Sequence, residues 1–261
     1  MRRKNKYKLS FGSRKKKRWP KIVLSVILLI VLAGGVAVWR YLIPYEPQQE
    51  AAAAMSASTT APVVKVTKEW IDFVPEQIQG PGVIFYPGAL VKPESYAPMA
   101  RDLALQGHHV VIVKMPLNLA VLGSKRADDV LKAYPNETFV IGGHSLGGAM
   151  AARYTAGHAS QLKGVFFLGA YPDEKGSLKS SGLPALSILG SKDEVVDTAK
   201  YKQGHSYLPE DAVYKLIEGG NHAQFGDYGI QKGDGKPGIS EDEQRKQTVQ
   251  SLLNWLKNIK G

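Results

Sequence analysis

Ser145 stands at the centre of the pentapeptide GHSLG, which matches the pattern G-x-S-x-G. A serine hydroxyl is a poor nucleophile at neutral pH, so chemistry here requires a neighbouring histidine as base and usually a carboxylate that orients it. The preceding residues, FVIGG, are typical of a buried strand, and the following ones, LGGAMAARYTAGH, are typical of a helix. Such a turn would raise Ser145 Oγ above the carboxyl end of a sheet. The alternative is a tight turn in which Ser145 only caps the helix.

Six histidines are candidates for the base. His222 follows the last predicted strand on the glycine-rich segment GGNH, from which an imidazole can reach inward over the sheet. His205, in a polar stretch before Pro209, is the alternative. We predict that His222 is the base. The alternative for His222 itself is an exposed loop histidine near Asp227.

Asp193 is the predicted carboxylate. It lies in the segment LGSKDEVV, directly after the penultimate predicted strand, and therefore at the same edge of the sheet as Ser145 and His222. The chain order serine, aspartate, histidine is the one expected for this type of site. Asp173 and Glu194 are alternative carboxylates, and Asp193 could instead cap a helix.

A carbonyl attacked by Ser145 develops an oxyanion, which needs preorganised hydrogen-bond donors. The backbone N–H of Leu146, at the start of the predicted helix, is one expected donor. The second is expected in the loop YPGA, where we predict the N–H of Ala89, with Leu90 as the alternative. An ordinary Pro-Gly turn would produce the same local sequence.

The elements that must position these residues begin at Val63. Short apolar runs alternate with amphipathic stretches, and glycine or proline stands at the junctions. This pattern predicts an α/β fold with a mostly parallel sheet covered by helices. Predicted strands cover residues 63–66, 71–74, 83–86, 109–115, 139–142, 165–168, 185–189 and 212–217, with the first two forming an edge hairpin. Predicted helices cover residues 95–106, 124–133, 146–157 and 240–259, the last with Ser240 as its N-cap.

The N-terminal region has a different composition. Residues 1–21 contain eleven Lys and Arg and no Asp or Glu, which accounts for the whole formal net charge of +11. Residues 22–39 form an uncharged apolar run, about 27 Å long as a helix, and residues 41–43 can extend it. We predict a single transmembrane helix over residues 22–43, with the basic tail cytoplasmic and the catalytic domain extracytoplasmic. The alternative is a cleavable signal peptide, because the small residues Gly35-Val36-Ala37 suit cleavage.

Residues 44–62 are rich in Ala, Ser, Thr and Pro, which predicts a flexible linker before a folded domain over residues 63–261. Because the folded part carries no net charge, we predict no nucleic-acid partner. The chain has no cysteine, which excludes a thiol nucleophile, thiolate metal sites and a lipid-modified cysteine. No phosphate-binding glycine motif follows the first strand, and the acidic segment around Asp234-Gly235 does not have the ligand spacing of a calcium loop. We therefore predict neither cofactor nor metal.

Four segments together resemble a known family: YPGALVKPESYAPMARDLALQGHHVVIVKMP, GGHSLGGAMAARY, LGSKDEVV and GGNHAQFGDYG. In this order they resemble a bacterial membrane-anchored member of the α/β-hydrolase family, close to the dienelactone-hydrolase-like esterases and lipases. The resemblance implies an α/β-hydrolase fold with helices on both faces of the sheet and one preceding transmembrane helix. It implies Ser145, Asp193 and His222 as a catalytic triad, with the backbone N–H groups of Ala89 and Leu146 as oxyanion donors.

The chain departs from this family at two points. Pro87 stands where many relatives have a histidine before the glycine, and only residues 170–184 separate two strands between which many relatives insert a helical cap. The second difference implies an open cleft without a large cap domain, suited to a small or surface-exposed acyl ester. We therefore expect a serine hydrolase that cleaves a carboxylic ester or related acyl bond through an acyl-Ser145 intermediate. The alternatives are an acyltransferase on the same site and a catalytically silent, membrane-tethered binding module.

Overall fold

The computed structural model describes residues 19–56 and 62–259. The chain divides into two units, residues 1–43 and residues 44–261. In the first unit, helix α1 covers Trp19–Tyr41. Where the structure describes side chains, no helix is long and apolar enough to cross a membrane. The transmembrane helix over residues 22–43 therefore stays a prediction, and most of the basic tail lies outside the described residues.

The second unit is built on an eight-stranded sheet with the order β1-β2-β4-β3-β5-β6-β7-β8. The strands are β1 Val63–Val66, β2 Trp70–Val74, β3 Gly82–Tyr86, β4 Val110–Val113, β5 Phe139–His144, β6 Val165–Leu168, β7 Ala185–Gly190 and β8 Val213–Ile217. β1 pairs with β2 and β2 pairs with β4 in antiparallel fashion, and every other pair is parallel. The predicted mostly parallel sheet and its edge hairpin are confirmed.

Helices cover both faces of this sheet. They are α2 Gln49–Ala54, α3 Ala97–Leu105, α4 Ala127–Ala133, α5 Leu146–His158, α6 Thr198–Gly204 and α7 Glu241–Leu256. Phe85 and Phe166 belong to the core that includes side chains of α3 and α7, whereas their chain neighbours Tyr86 and Phe167 belong to the core on the α4 and α5 face. Strands buried on both faces read as continuous apolar runs, which explains why β3 to β6 were predictable.

Several helices begin at a 3₁₀ turn or at a capping side chain. The helix predicted from residue 95 begins as a 3₁₀ turn over Pro93–Tyr96 before α3. Ser240 is the N-cap of α7 as predicted, since its Oγ accepts a hydrogen bond from Glu243 N–H at 3.1 Å. Helix α6 was not predicted, although Asp197 caps it with hydrogen bonds from two backbone N–H groups. Between β6 and β7 the structure shows only the 3₁₀ turn Glu174–Gly176, so no helical cap interrupts described residues 169–184.

The prediction of a flexible linker over residues 44–62 is wrong for its first part. Residues 44–56 belong to the second unit and include helix α2. Ala51 is completely buried, and its N–H donates to the Asp227 carboxylate at 2.5 Å. Small side chains made this segment look like a spacer, but small size is also what allows a helix to pack closely against a domain. Residues 57–61, the rest of the predicted linker, lie outside the described residues.

Candidate active site

Ser145 occupies the sharp turn between β5 and α5, with φ 52° and ψ −123°. A non-glycine residue rarely adopts this conformation, and such strain often marks a functional site. The flanking glycines make the turn possible: a Cβ at Gly143 would lie 2.3 Å from the carbonyl oxygen of Tyr86, and one at Gly147 would lie 2.1 Å from it. Ser145 makes no capping hydrogen bond with its side chain, so the alternative of a mere helix cap is wrong.

His222 and Asp193 form a buried pair. His222 Nδ1 lies 2.8 Å from Asp193 Oδ2, and their side chains are 1% and 0% exposed. The other carboxylate oxygen, Oδ1, accepts the N–H groups of Val195 at 3.0 Å and Val196 at 2.9 Å. Because an ionised carboxylate can only accept, this geometry assigns a donated proton to Nδ1 of His222. In the neutral ring the second nitrogen, Nε2, is then an acceptor.

His222 Nε2 is buried and has no hydrogen-bond partner among the residues that the structure describes. Ser145 and His222 line the same open cavity, which has a volume of about 320 Å³. Its lining is formed by Ser145, Leu146, Ala149, Gly169, Ala170, Tyr171, Asp173, Val195, Val196 and His222. The half-buried Ser145 and an unpartnered basic nitrogen thus line one cavity, which is the set of groups that a transfer of the serine proton to a histidine requires.

The backbone N–H groups around the cavity differ in availability. In the loop after β3, residues 87–92, Gly88 N–H donates to Tyr96 Oη at 2.9 Å and Leu90 N–H donates to Asn118 O at 2.8 Å. The N–H groups of Ala89 and Leu146 make no hydrogen bond to any described residue. Both predicted oxyanion donors are thus available, whereas the alternative, Leu90, is occupied. Leu146 lines the cavity and Ala89 does not.

The alternative base His205 and the alternative acid Asp173 make other contacts. His205 packs against Tyr201 and Tyr214, with ring centroids 4.9 and 4.2 Å away, and does not line the cavity. Asp173 lines the cavity but is ion-paired with Arg153, which holds the pKa of that carboxyl below its ordinary value. The structure therefore bonds Asp193 to His222, which lines the cavity together with Ser145. Asp173 lines the same cavity, but its carboxylate is engaged by Arg153.

His144, next to the serine, lies beneath the site. It is buried, its ring centroid is 4.4 Å from that of His222, and its Nδ1 lies 2.9 Å from Tyr96 Oη. Tyr96 Oη also accepts the Gly88 N–H, so this hydroxyl links the loop after β3 to His144. Burial, together with His222, holds the pKa of His144 well below its ordinary value. His144 is therefore a neutral imidazole that supports the ring of His222.

Sequence reasoning missed two residues that hold the site together. Asp234 accepts backbone N–H groups from His222 at 3.2 Å, Ala223 at 2.8 Å and Glu194 at 3.4 Å, so it fastens the histidine loop to the loop after β7. The buried Gln244 side chain bonds both backbone groups of Asn221, at 2.9 and 2.8 Å. The acidic, glycine-rich sequence around Asp234 was the available signal, although its ligand spacing does not fit a calcium loop. Over residues 19–56 and 62–259, no three His, Cys, Asp or Glu side chains cluster as metal ligands would.

Comparison with known sequences gives two findings. The model of the alpha/beta hydrolase family matches residues 82–246. A search of curated protein sequences gave no match.

Solved structures give the second comparison. A predicted CIB-like hydrolase from Thermoplasma acidophilum is 18% identical, with a TM-score of 0.56 over 73% of this chain and 99% of its own. The esterase domain of a Rhodothermus marinus protein is 14% identical, with a TM-score of 0.56 over 74% and 93%. The carboxylesterase CesB from Bacillus subtilis is 12% identical, with a TM-score of 0.55 over 79% and 94%. At these identities the likeness concerns the fold.

Proposed function

Because the chain belongs to the alpha/beta hydrolase family, we propose that it is a serine hydrolase that cleaves a carboxylic ester or a related acyl bond through an acyl-Ser145 intermediate. One observation carries the proposal. His222 donates to Asp193 through Nδ1 at 2.8 Å, while its buried Nε2 has no partner in the described structure and shares a cavity with the strained Ser145. An unpartnered buried nitrogen is costly to stability, which favours a role in the reaction.

The proposed reaction has two steps. In the first, Ser145 Oγ bonds to the acyl carbon as its proton passes to His222 Nε2, and the N–H groups of Leu146 and Ala89 receive the carbonyl oxygen as it becomes negative. The leaving alcohol takes the proton from His222 and the acyl enzyme remains. In the second, His222 removes a proton from water, which attacks the acyl carbon and releases the acid and Ser145. Asp193 holds the imidazole in the required tautomer and stabilises its charged form.

The cavity supports a small or surface-exposed acyl group. It holds about 320 Å³, and Leu146, Ala149, Val195 and Val196 give it an apolar wall. No helical cap stands over it within described residues 169–184. Activity should therefore be highest on short acyl chains and decline as the chain lengthens beyond the cavity. The similar folds of a carboxylesterase and an esterase domain are consistent with an ester as substrate.

The test is covalent labelling of the full chain with a fluorophosphonate, together with turnover of p-nitrophenyl esters. We expect labelling and turnover in the wild type, neither in Ser145→Ala, and wild-type behaviour in Ser160→Ala, which changes an exposed serine outside the cavity. Equal labelling of wild type and Ser145→Ala would refute the assignment. Preferential ester formation with added alcohols would indicate an acyltransferase, and no labelling of folded wild type would indicate a binding module.

We also propose that residues 22–43 anchor the chain in a membrane and that residues 1–21 stay on the cytoplasmic side. The support is the uncharged run of residues 22–39 and the eleven basic residues before it. The test is membrane fractionation of the full chain with a C-terminal epitope, followed by protease treatment of intact and permeabilised cells. Retention after an alkaline wash and digestion of the epitope in intact cells are expected. A soluble, full-length chain would refute the anchor.

A further inference from the structure

Residues 44–56, which we call the strap, precede the sheet and contact two loops at its carboxyl edge. One is the β3 loop, residues 87–92, which contains the proposed oxyanion donor Ala89. The other is the β8 loop, residues 218–229, which contains His222. The strap lies before residues 82–246, the part of the chain that the family model matches.

The first part of the strap extends the β3 loop by backbone pairing. Tyr45 N–H donates to Leu90 O at 2.6 Å, and Lys92 N–H donates to Tyr45 O at 3.2 Å, which forms a parallel bridge between Tyr45 and Val91. Lys92 Nζ also lies 2.6 Å from a carboxylate oxygen of Glu46. These bonds begin at the residue after Ala89, so they restrain the backbone that must present the Ala89 N–H.

The second part of the strap binds the β8 loop. Asp227 O accepts the Gln48 N–H at 3.0 Å, and its carboxylate accepts the Ala51 N–H at 2.5 Å. The carboxylate thereby caps the first turn of α2, where a negative charge is favourable. The rings of Tyr45 and Tyr228 pack with their centroids 5.4 Å apart. Asp227 and Tyr228 follow His222 by only a few residues, so the strap restrains the loop of the base.

Burial shows which face of α2 holds the strap in place. Ala51 is 0% exposed and Ala54 is 7% exposed, whereas Ala52 between them is exposed. Arg101, on α3, fixes the far end because its Nε and Nη2 donate to the carbonyl oxygens of Ala54 and Ser56, both at 3.0 Å. The strap is thus bound along its length, from Tyr45 to Ser56.

We propose that the strap is a positioning element of the active site: it holds the β3 loop and the β8 loop in register, so that Ala89 N–H and His222 face one substrate. This inference rests on the proposed serine hydrolase. Undocking the strap removes one set of restraints from both loops. The sheet, Ser145, Asp193 and the bonds of Asp234 to the β8 loop keep their places. If the two loops shift relative to each other by about 1 Å, the rate of the chemical step falls much more than substrate affinity does.

The experiment compares Ala51→Glu with Ala52→Glu in the full chain. The two variants add the same side chain to neighbouring positions of one helix, but only Ala51 has no space for it. For Ala51→Glu we expect kcat on p-nitrophenyl acetate to fall at least about tenfold with KM within about twofold. Hydrogen exchange should also become faster in the peptides that cover residues 87–92 and 218–229. Ala52→Glu should match the wild type in both measurements.

Arg101→Ala is the milder variant if Ala51→Glu does not fold, since it removes only the contacts to Ala54 O and Ser56 O. It should shift kcat and exchange in the same direction, by smaller factors. Unchanged exchange in both loops and unchanged kcat in Ala51→Glu would overturn the proposal. A wild type without turnover, in which Ala51→Glu still speeds exchange, would refute the proposed function and the catalytic role of the strap, but would confirm its contacts with the loops.

Discussion

Gly169 offers a sharp test of the site, because it lies against the histidine–aspartate pair without taking part in the reaction. It follows β6 with φ +50°. A Cβ at this position would lie 2.9 Å from His222 Nδ1 and 3.0 Å from Asp193 Oδ2. Real Cβ atoms are almost never this close to another heavy atom, so in Gly169→Ala one of the three residues has to move.

Two costs of Gly169→Ala can be separated. The left-handed backbone conformation costs a non-glycine residue about 1 kcal/mol of folding free energy. The contact with His222 and Asp193 displaces the pair by several tenths of an ångström, and misplacement of a catalytic group by about 1 Å can lower the rate a hundredfold. We therefore expect the free energy of unfolding to fall by about 1 to 2 kcal/mol and kcat to fall by about 4- to 10-fold.

The matched control is Gly182→Ala. Gly182 also has a left-handed backbone, with φ +68°, but no atom lies within 4 Å of the position that its Cβ would take. The control should lose similar stability and keep wild-type kcat. The assay is urea unfolding of both variants, with initial rates on p-nitrophenyl acetate at saturating substrate. If Gly169→Ala turns over as fast as Gly182→Ala, the pair that this glycine contacts is not the catalytic pair.

Three further outcomes are expected. Asp193→Asn should lower kcat by about 10³- to 10⁴-fold because the amide no longer fixes the tautomer of His222. A pH-rate profile measures this loss, and an unchanged thermal unfolding temperature shows that the variant is folded. Asp234→Ala should lower both kcat and the free energy of unfolding, the latter by about 1 to 3 kcal/mol, because it leaves backbone N–H groups unpaired; Asp234→Asn, which keeps one oxygen, should lie between it and wild type. Burial, with the carboxylate of Asp227, raises the pKa of Glu241 to about 7, so protonation stabilises the fold at low pH and this stabilisation disappears as pH rises through 7. Glu241→Gln should therefore unfold about 3 °C above wild type at pH 8, equivalent to roughly 1 kcal/mol after solvent screening, and at the same temperature at pH 4.

The sheet was predictable because its signals are local. Strands such as β4 and β6 are short runs of mainly β-branched or aromatic residues bounded by polar or glycine positions. Such runs are typical of strands that are buried on both faces of a sheet. The turn at Ser145 was predictable for the same reason: the glycines that its strained backbone requires stand within two residues of it.

The strap could not be predicted in this way. Helix α2 has the sequence QEAAAA, which alone indicates neither burial nor a partner. Its cap is the Asp227 carboxylate, which is 176 positions from Ala51 in the sequence. Neither residue shows a capping pattern by itself, since capping motifs are recognised from neighbours three or four residues apart. A segment that is ordered only by distant contacts therefore looks like a linker.

Inside the site, too, contacts between residues far apart in the sequence determine the conformation of the loops. The sheet fixes where each loop begins, but side chains that bond backbone groups fix where each loop points. Asp193 accepts two N–H groups of its own loop, Asp234 accepts those of the histidine loop, Tyr96 accepts that of Gly88, and Asp227 accepts that of the strap. Three of these four acceptors lie outside the predicted catalytic set. A buried N–H group without an acceptor lowers the stability of the fold, so each of these acceptors favours one conformation of its loop. Substitutions at Asp234, Tyr96 and Asp227 should therefore lower turnover, although these residues do not contact the substrate.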